Sequence, residues 1–471
     1  MKFETENFGS KVAAISDNGG SITYEQLGAF TKEISTFIAS RSLVFSLCRN
    51  SIGSLAGYVG FINNRIVPLL LSENLDAELY QSLIKTYQPA YVWAPEEMSN
   101  IDGDCILNKY GYKLYKTNNP TVQLFDELGL LLTTSGSTGS PKLVRQSYTN
   151  LKANTESIVE YLALTEEERP ITTLPMNYTY GLSIVNTHLY VGGTVLLTEK
   201  SILNKDFWDF FRNEKATSFG GVPYTYEMLN KLKFFDMELP YLKTMTQAGG
   251  KLSPELHQKF AEYAKNMGKR FVVMYGQTEA TARMAYLPYD RSLEKYGSMG
   301  VAIPGGHFEL IDVEGTIIHE PECVGELVYK GKNVTLGYAE CLDDLQKGDE
   351  RQGVLVTGDM AKMDSDGYYY IVGRKKRFLK IFGNRVNLDE IERMVKSNFY
   401  GIECACAGMD DKMYIFVVQD NREINIQDIK KFVAEKTRLH SSALKIKKID
   451  VIPKNEAGKV LYSALNQYYD E

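Results

Sequence analysis

Apolar and polar positions alternate along this chain in a way that predicts short strands separated by amphipathic helices. The apolar runs at 67–71, 90–93 and 128–132, the last broken only by Gly129, have the length of buried strands. The segment SITYE (21–25), followed by Leu27, Phe30, Ile34 and Phe37, predicts a capped amphipathic helix. Residues 143–146 read as extended, with a helical pattern starting near Thr149. FVVMY (271–275) predicts a buried strand, and GELVY (325–329) and GVLVT (353–357) predict hairpin strands. Such alternation favours a layered α/β fold.

The pattern changes at Gly373. The basic run GRKKRFLK follows a strand at 368–372 and is succeeded by a helix from Leu388 with Ile391, Met394 and Val395 on one face. Strands at 403–409 and 413–419, a helix presenting Ile429, Phe432 and Val433, and a strand at 446–452 complete a small α+β pattern. The expected organisation is a large N-terminal domain, 1–373, and a small C-terminal domain, 374–471, joined near the basic run.

Composition narrows the class of function. The 471 residues are 44% hydrophobic and 24% charged, as in an ordinary globular protein with a large core. The net charge of −6 argues against nucleic acid as the main partner. Cys48, Cys105, Cys323, Cys341, Cys404 and Cys406 form no CxxC pair, so zinc is not expected and reduced, buried thiols are. MKFETENFGS at the start lacks the apolar region of a signal peptide, and no run of 18 apolar residues occurs. A cytoplasmic protein without membrane insertion is the expectation.

The chemistry concentrates in a few stretches. TTSGSTGSPK (133–142) combines glycines, hydroxyls and Lys142 after a buried strand, a composition suited to cradling polyphosphate. It is not a Walker A loop, because its spacing differs and an extended segment follows it. The 271–275 strand ends in YGQTEA; there Tyr275 could stack on a base, Thr278 could donate to a phosphate and Glu279 could hold Mg²⁺. Asp359 of the TGD triplet is expected at a strand end, where it could take both ribose hydroxyls. DSDG (364–367) reads as a turn, since position 375 is lysine where a calcium loop needs glutamate. Tyr178, Tyr180, Tyr224 and Tyr226 lie among glycines and prolines and are expected on pocket-lining loops.

Taken together and in order, TTSGSTGSPK, YGQTEA, TGD, GRKKRFLK with GNRVNLDEIE, and NEAGK resemble the ANL superfamily of adenylate-forming enzymes, which holds acyl-CoA synthetases, peptide-synthetase adenylation domains and luciferases. The resemblance implies a large α/β domain and a small mobile α+β domain. It implies that Ser135, Gly136, Ser137, Thr138, Gly139 and Lys142 surround the β- and γ-phosphates of ATP. By the same resemblance Tyr275, with Gly276 and Gln277, meets adenine, Thr278 the α-phosphate, Glu279 Mg²⁺, and Asp359 and Arg374 the rest of the nucleotide. Lys376 occupies the hinge position. Lys459 matches the lysine that bridges the substrate carboxylate and the nucleotide, and Lys380 and Gly383 match positions used in the second half-reaction. Tyr178, Gly249 and Gly250 fall where the acyl group or pantetheine would pass.

The implied activity is conversion of a carboxylic acid to an acyl-adenylate with release of pyrophosphate, then transfer to the thiol of coenzyme A or of phosphopantetheine on a separate carrier protein. Three positions depart from the family: Leu143 follows Lys142 where glycine is often found, and Tyr148 and Tyr178 stand where histidine is usual. With five histidines in all and none in these motifs, imidazole carries no expected catalytic role. No acid lies between Leu174 and Ser183, where amino-acid-activating relatives place an aspartate, and a buried ammonium needs a counter-charge. A carboxylic acid without an α-amine is therefore favoured over the alternative, an amino-acid-adenylating enzyme that loads a carrier protein.

Overall fold

The computed structural model describes residues 1–98, 101–133, 142–382, 384–399, 401–419, 425–437, 439–454 and 460–469. The chain divides into two compact units. The first holds residues 1–134, 139–308 and 329–355, and the second holds 135–138, 309–328 and 356–471.

The first unit is α/β, as the strand–helix alternation predicts. One sheet has the order Val301–Ala302, Ala285–Tyr286, Arg270–Tyr275, Thr244–Gln247, Ser218–Gly221, Pro170–Ile171, Val195–Leu197, Val12–Ser16 and Ser21–Thr23. Its centre is parallel and its two ends are antiparallel. A second sheet is built around the parallel strands Leu128–Thr133, Val67–Ser72, Leu43–Cys48 and Tyr91–Pro95. Its edge carries Leu143–Ser147 and the three-residue strand Gly337–Ala339. One hydrophobic core takes residues from both sheets, including Ala14 and Val195 from the first and Val44, Leu70 and Leu130 from the second.

Two helices in that core show how the sequence sets the packing. Tyr24–Ile34 starts at Thr23 in a reciprocal capping box with Gln26 and buries Tyr24, Leu27, Phe30 and Ile34. Ile52–Asn63 is buried almost all round and crosses close to two aromatic side chains. A Cβ at Gly53 would stand 2.2 Å from the Tyr112 ring, and one at Gly57 would stand 2.3 Å from Trp93 Nε1. Glycine at these positions lets the Trp93 indole donate to the Gly53 carbonyl at 3.0 Å.

A five-stranded sheet has the order Ile317–Ile318, Gly306–Ile311, Val324–Gly331, Val354–Met363 and Tyr369–Arg374. After it, Ile402–Met409 pairs antiparallel with Lys412–Gln419, which pairs parallel with Leu444–Lys448. Leu388–Asn398 and Ile426–Thr437 contribute Ile391, Val395, Ile429 and Val433 to the core of this sheet. The strand expected at 446–452 starts earlier and ends at Lys448, where pairing with Val417 stops. Cys404 and Cys406 are buried there and Cys48 in the first unit, but Cys105, Cys323 and Cys341 are exposed, contrary to the expectation of buried thiols.

Arg377 ties this C-terminal body together. Its buried guanidinium donates to Asp389 (2.8 Å), to Glu392 and to the Cys406 carbonyl, and lies 3.6 Å from the Tyr462 ring centroid. Glu392 also accepts from the Cys406 amide at 2.7 Å and from the Tyr462 hydroxyl at 3.2 Å. Removing one partner of such a pair leaves the other charge buried and costs about 3–5 kcal/mol. Arg377→Met is therefore expected to lower the protection of Ile402–Met409 amides against hydrogen exchange by that amount. Arg377→Met combined with Glu392→Leu should recover much of it.

Candidate active site

The strand Arg270–Tyr275 runs parallel to Thr244–Gln247, and its C-terminal end delivers the YGQTEA stretch. The turn that follows is tight: a Cβ on Gly276 would stand 1.6 Å from the Ala282 carbonyl oxygen, so only glycine fits. Thr278–Ala280 forms a single 3-10 turn. Buried Asn333 fixes the loop, donating from Nδ2 to the Ala280 (2.8 Å) and Arg283 (3.0 Å) carbonyls. Thr281 donates back to the Asn333 carbonyl at 2.7 Å. The Tyr275 hydroxyl accepts from Gln277 Nε2 at 3.2 Å, and the Thr278 carbonyl accepts from Gln146 Nε2 at 3.4 Å.

Glu279 is held from both its main chain and its side chain. Its carbonyl accepts from the Thr335 amide, the Thr335 hydroxyl and Arg351 Nη1, each at 3.0 Å. Its Oε1 accepts from the Tyr338 hydroxyl at 2.8 Å. Burial, followed by the neighbouring Glu279 carboxylate, pushes that hydroxyl up to about 12, so it remains a donor through the neutral range. Lys142 Nζ lies 3.8 Å from the centroid of the same Tyr338 ring and 3.1 Å from Glu340 Oε1. The Arg351 guanidinium lies 4.6 Å from that ring centroid. One tyrosine thus joins the lysine that ends TTSGSTGSPK to the glutamate of YGQTEA. It stands on Gly337–Ala339, paired with Val144 in the strand that directly follows that lysine.

Tyr338, Arg351 and Asn333 were not singled out from sequence. They act over separations such as 59 and 72 residues, and no local pattern marks them. Glu279 Oε2 has no partner among the described residues. A carboxylate with one oxygen anchored and the other free suits Mg²⁺, which takes one or two carboxylates beside phosphate oxygens.

Tyr178 sits at the start of the helix Thr179–Tyr190, and its hydroxyl covers Gly249: a Cβ there would be 2.7 Å from it. A Cβ on Gly250 would meet Pro223 at 3.0 Å. Burial pushes the Tyr178 hydroxyl up to about 12. Tyr180 is not on a loop as expected but in that helix, with its hydroxyl 2.8 Å from Thr246 Oγ1. Tyr224 and Tyr226 likewise lie in the helix Pro223–Lys231, where Pro223 takes the first-turn position that proline tolerates. Tyr226 is core and Tyr224 faces solvent. Tyr148 begins the helix Tyr148–Leu162, and its hydroxyl accepts from Arg41 at 3.3 Å. His188 and His257 are buried and pushed down to about 4, chiefly by burial, and bond within their own surroundings.

In the second unit Asp359 lies within the ten-residue strand Val354–Met363, not at a strand end, because a ladder with Tyr369–Arg374 begins at Asp359 and runs on to Met363. Gly358 accommodates the local geometry with φ +72°. Asp359 is buried and pairs in register with Arg374, whose Nε is 3.2 Å from Asp359 Oδ1 and whose side chain is otherwise exposed. Lys376 is exposed in the 3-10 turn Lys375–Arg377. Lys380 is exposed on Phe378–Ile381, its amide donating to Asp410 at 2.8 Å. Ser135, Gly136, Ser137, Thr138, Gly139, Gly383 and Lys459 lie outside the described residues.

Comparison with known proteins settles the family. The sequence pattern of the family described as AMP-binding enzyme matches residues 3–339. The chain belongs to the AMP-binding enzymes. The motif resemblance to the adenylate-forming superfamily is thereby borne out. A 350-residue stretch of this AMP-binding enzyme is 29% identical to peroxisomal OPC-8:0-CoA ligase 1 of Arabidopsis thaliana, covering 71% of this chain and 63% of that protein. The chain thus spans less than two thirds of the plant ligase's length. The 2-succinylbenzoate–CoA ligase of Enterococcus faecalis is 26% identical over 454 residues, 93% of this chain and 89% of that one. Among solved structures, o-succinylbenzoate CoA synthetase from Bacillus subtilis, in complex with an acyl-adenylate intermediate, shares the fold with a TM-score of 0.80 at 20% identity, covering 98% and 96% of the two chains. Among the described residues no helix is long and apolar enough to cross a membrane.

Tyr338→Phe is expected to free Glu279 Oε1 while keeping the ring beside Lys142. The magnesium concentration for half-maximal pyrophosphate release should rise and kcat should fall roughly 10-fold or more, since a hydrogen bond to a charged group is worth about 1.5–3 kcal/mol. An unchanged magnesium dependence would remove Tyr338 from the site.

Proposed function

We propose that this AMP-binding enzyme is an ATP-dependent acid–thiol ligase that makes an acyl-adenylate, releases pyrophosphate and passes the acyl group to coenzyme A. The observation that carries the proposal is the grouping of Lys142, Tyr338 and Glu279, which sets a cation and a half-anchored carboxylate on one tyrosine. A carboxylate is a poor electrophile, because oxide would have to leave. Attack of its oxygen on the α-phosphorus of ATP forms the acyl–phosphate bond and breaks the bond to pyrophosphate. Acid and triphosphate repel each other, so the protein must supply positive charge and fixed donors.

In this reading Lys142 and the 135–139 loop hold the outer phosphates, and Thr278 donates to the α-phosphate. The Tyr275 ring faces adenine, and Asp359 with Arg374 takes the ribose side. Glu279 would hold Mg²⁺, which when bound offsets polyphosphate charge. Tyr178, Gly249 and Gly250 shape the path of the acyl or pantetheine group. Lys459 bridges the acid and the nucleotide in the first half-reaction, and Lys380 serves the second, with Lys376 as the pivot between domains 1–373 and 374–471. The relatives named as CoA ligases support coenzyme A over a carrier protein as the acceptor. Cytoplasmic residence is part of the proposal.

A carboxylic-acid panel in a pyrophosphate-release assay, with and without coenzyme A, tests it. Lys459→Ala is expected to slow adenylation by roughly 100-fold or more, the scale of losing one preorganised charge partner. Thioester formation from a supplied acyl-adenylate should persist in that variant. Adenylation at the wild-type rate in Lys459→Ala would refute the assignment.

A further inference from the structure

Three arginines are buried among the described residues: Arg145, Arg283 and Arg377. Arg145 meets Glu350 and several carbonyls, and Arg377 meets Glu392 and Asp389. Among the described residues Arg283 meets no carboxylate. Its Nη1 donates to the Tyr161 hydroxyl and contacts Met274 Sδ, each at 3.0 Å, and its guanidinium lies 5.1 Å from the Tyr180 ring centroid. Its Nε is buried without a partner. The tyrosines do not supply the missing charge, because burial pushes the Tyr161 and Tyr180 hydroxyls up and keeps them neutral. A guanidinium removed from water with only neutral neighbours is costly, and a cation–π contact offsets only part of that cost.

Its surroundings say what would complete it. Tyr180 and Met274 belong to one apolar cluster with Val222 and Ala248, and Tyr178, which covers Gly249, packs against that cluster. This is the region assigned above to the acyl group, and the inference rests on that reading. We infer that the acid activated here carries a second carboxylate, which Arg283 receives at the far end of the acyl pocket. Arginine's planar fork matches a carboxylate with two parallel hydrogen bonds, and the free Nε offers one of them. The substrate class is then a dicarboxylic acid with one carboxylate adenylated and the other left as an anion.

The test compares diacids (succinate, glutarate, adipate) with the monoacids of equal length (butyrate, valerate, hexanoate) by pyrophosphate release and by equilibrium binding without ATP. Wild type is expected to favour the best diacid over its monoacid by about 100-fold or more in kcat/KM, the scale of a buried charge pair. Arg283→Met should abolish that preference, and Arg283→Lys, which keeps the cation, should retain part of it in both readouts. Equal or better use of monoacids by wild type, or an equal loss for both classes in Arg283→Met, overturns the inference and leaves the ligase reading standing. Absence of pyrophosphate release with every acid overturns the ligase reading and this inference with it.

Discussion

Anchoring of the Glu279 carboxylate by the Tyr338 hydroxyl is the interaction on which the candidate site depends. A free glutamate at a strand end would sweep through several rotamers and face water. Here its carbonyl is fastened by Thr335 and Arg351 and one carboxylate oxygen by Tyr338, so the other oxygen has a defined direction. That arrangement requires the short strand Gly337–Ala339 to be paired at the sheet edge, and it requires glycine at 276 to let the loop fold back on Ala282. Sheet pairing, loop sterics and site electrostatics therefore form one chain of causes.

Much of the scaffold was legible in the sequence because its signals are local. The Thr23–Gln26 capping box and the spacing of Leu27, Phe30 and Ile34 define a helix without reference to anything distant. The apolar run ending at Tyr275 defines the strand that carries YGQTEA. Glycine and proline misled where tertiary packing overrides them. Pro223 starts a helix rather than a loop, and Gly358 sits inside the strand Val354–Met363 rather than ending it. The exposed cysteines show the same limit, since composition reports a thiol's presence and not its surroundings.

The candidate site divides along the same line. Residue types suited to phosphate, metal or ribose could be picked out by their chemistry, and Lys142, Glu279 and Asp359 were, while Arg374 came only with the resemblance. Their supports could not, because a tyrosine such as Tyr338 is locally indistinguishable from a core aromatic. Arg283 is a further case: its meaning comes from which side chains are missing around it, and a sequence lists neighbours only along the chain. The family resemblance points to the proposed reaction, while the particular acid depends on contacts made between residues far apart in the chain.

The close crossing at Gly53 and Gly57 has a spectroscopic consequence. It seals the Trp93 indole in the core with its N–H bonded, and Trp208, bonded to the Ile202 carbonyl at 2.7 Å, is the other of the chain's two tryptophans. Both belong to the first compact unit. Intrinsic tryptophan emission therefore reports melting of that unit alone, and the C-terminal body is silent in such a trace.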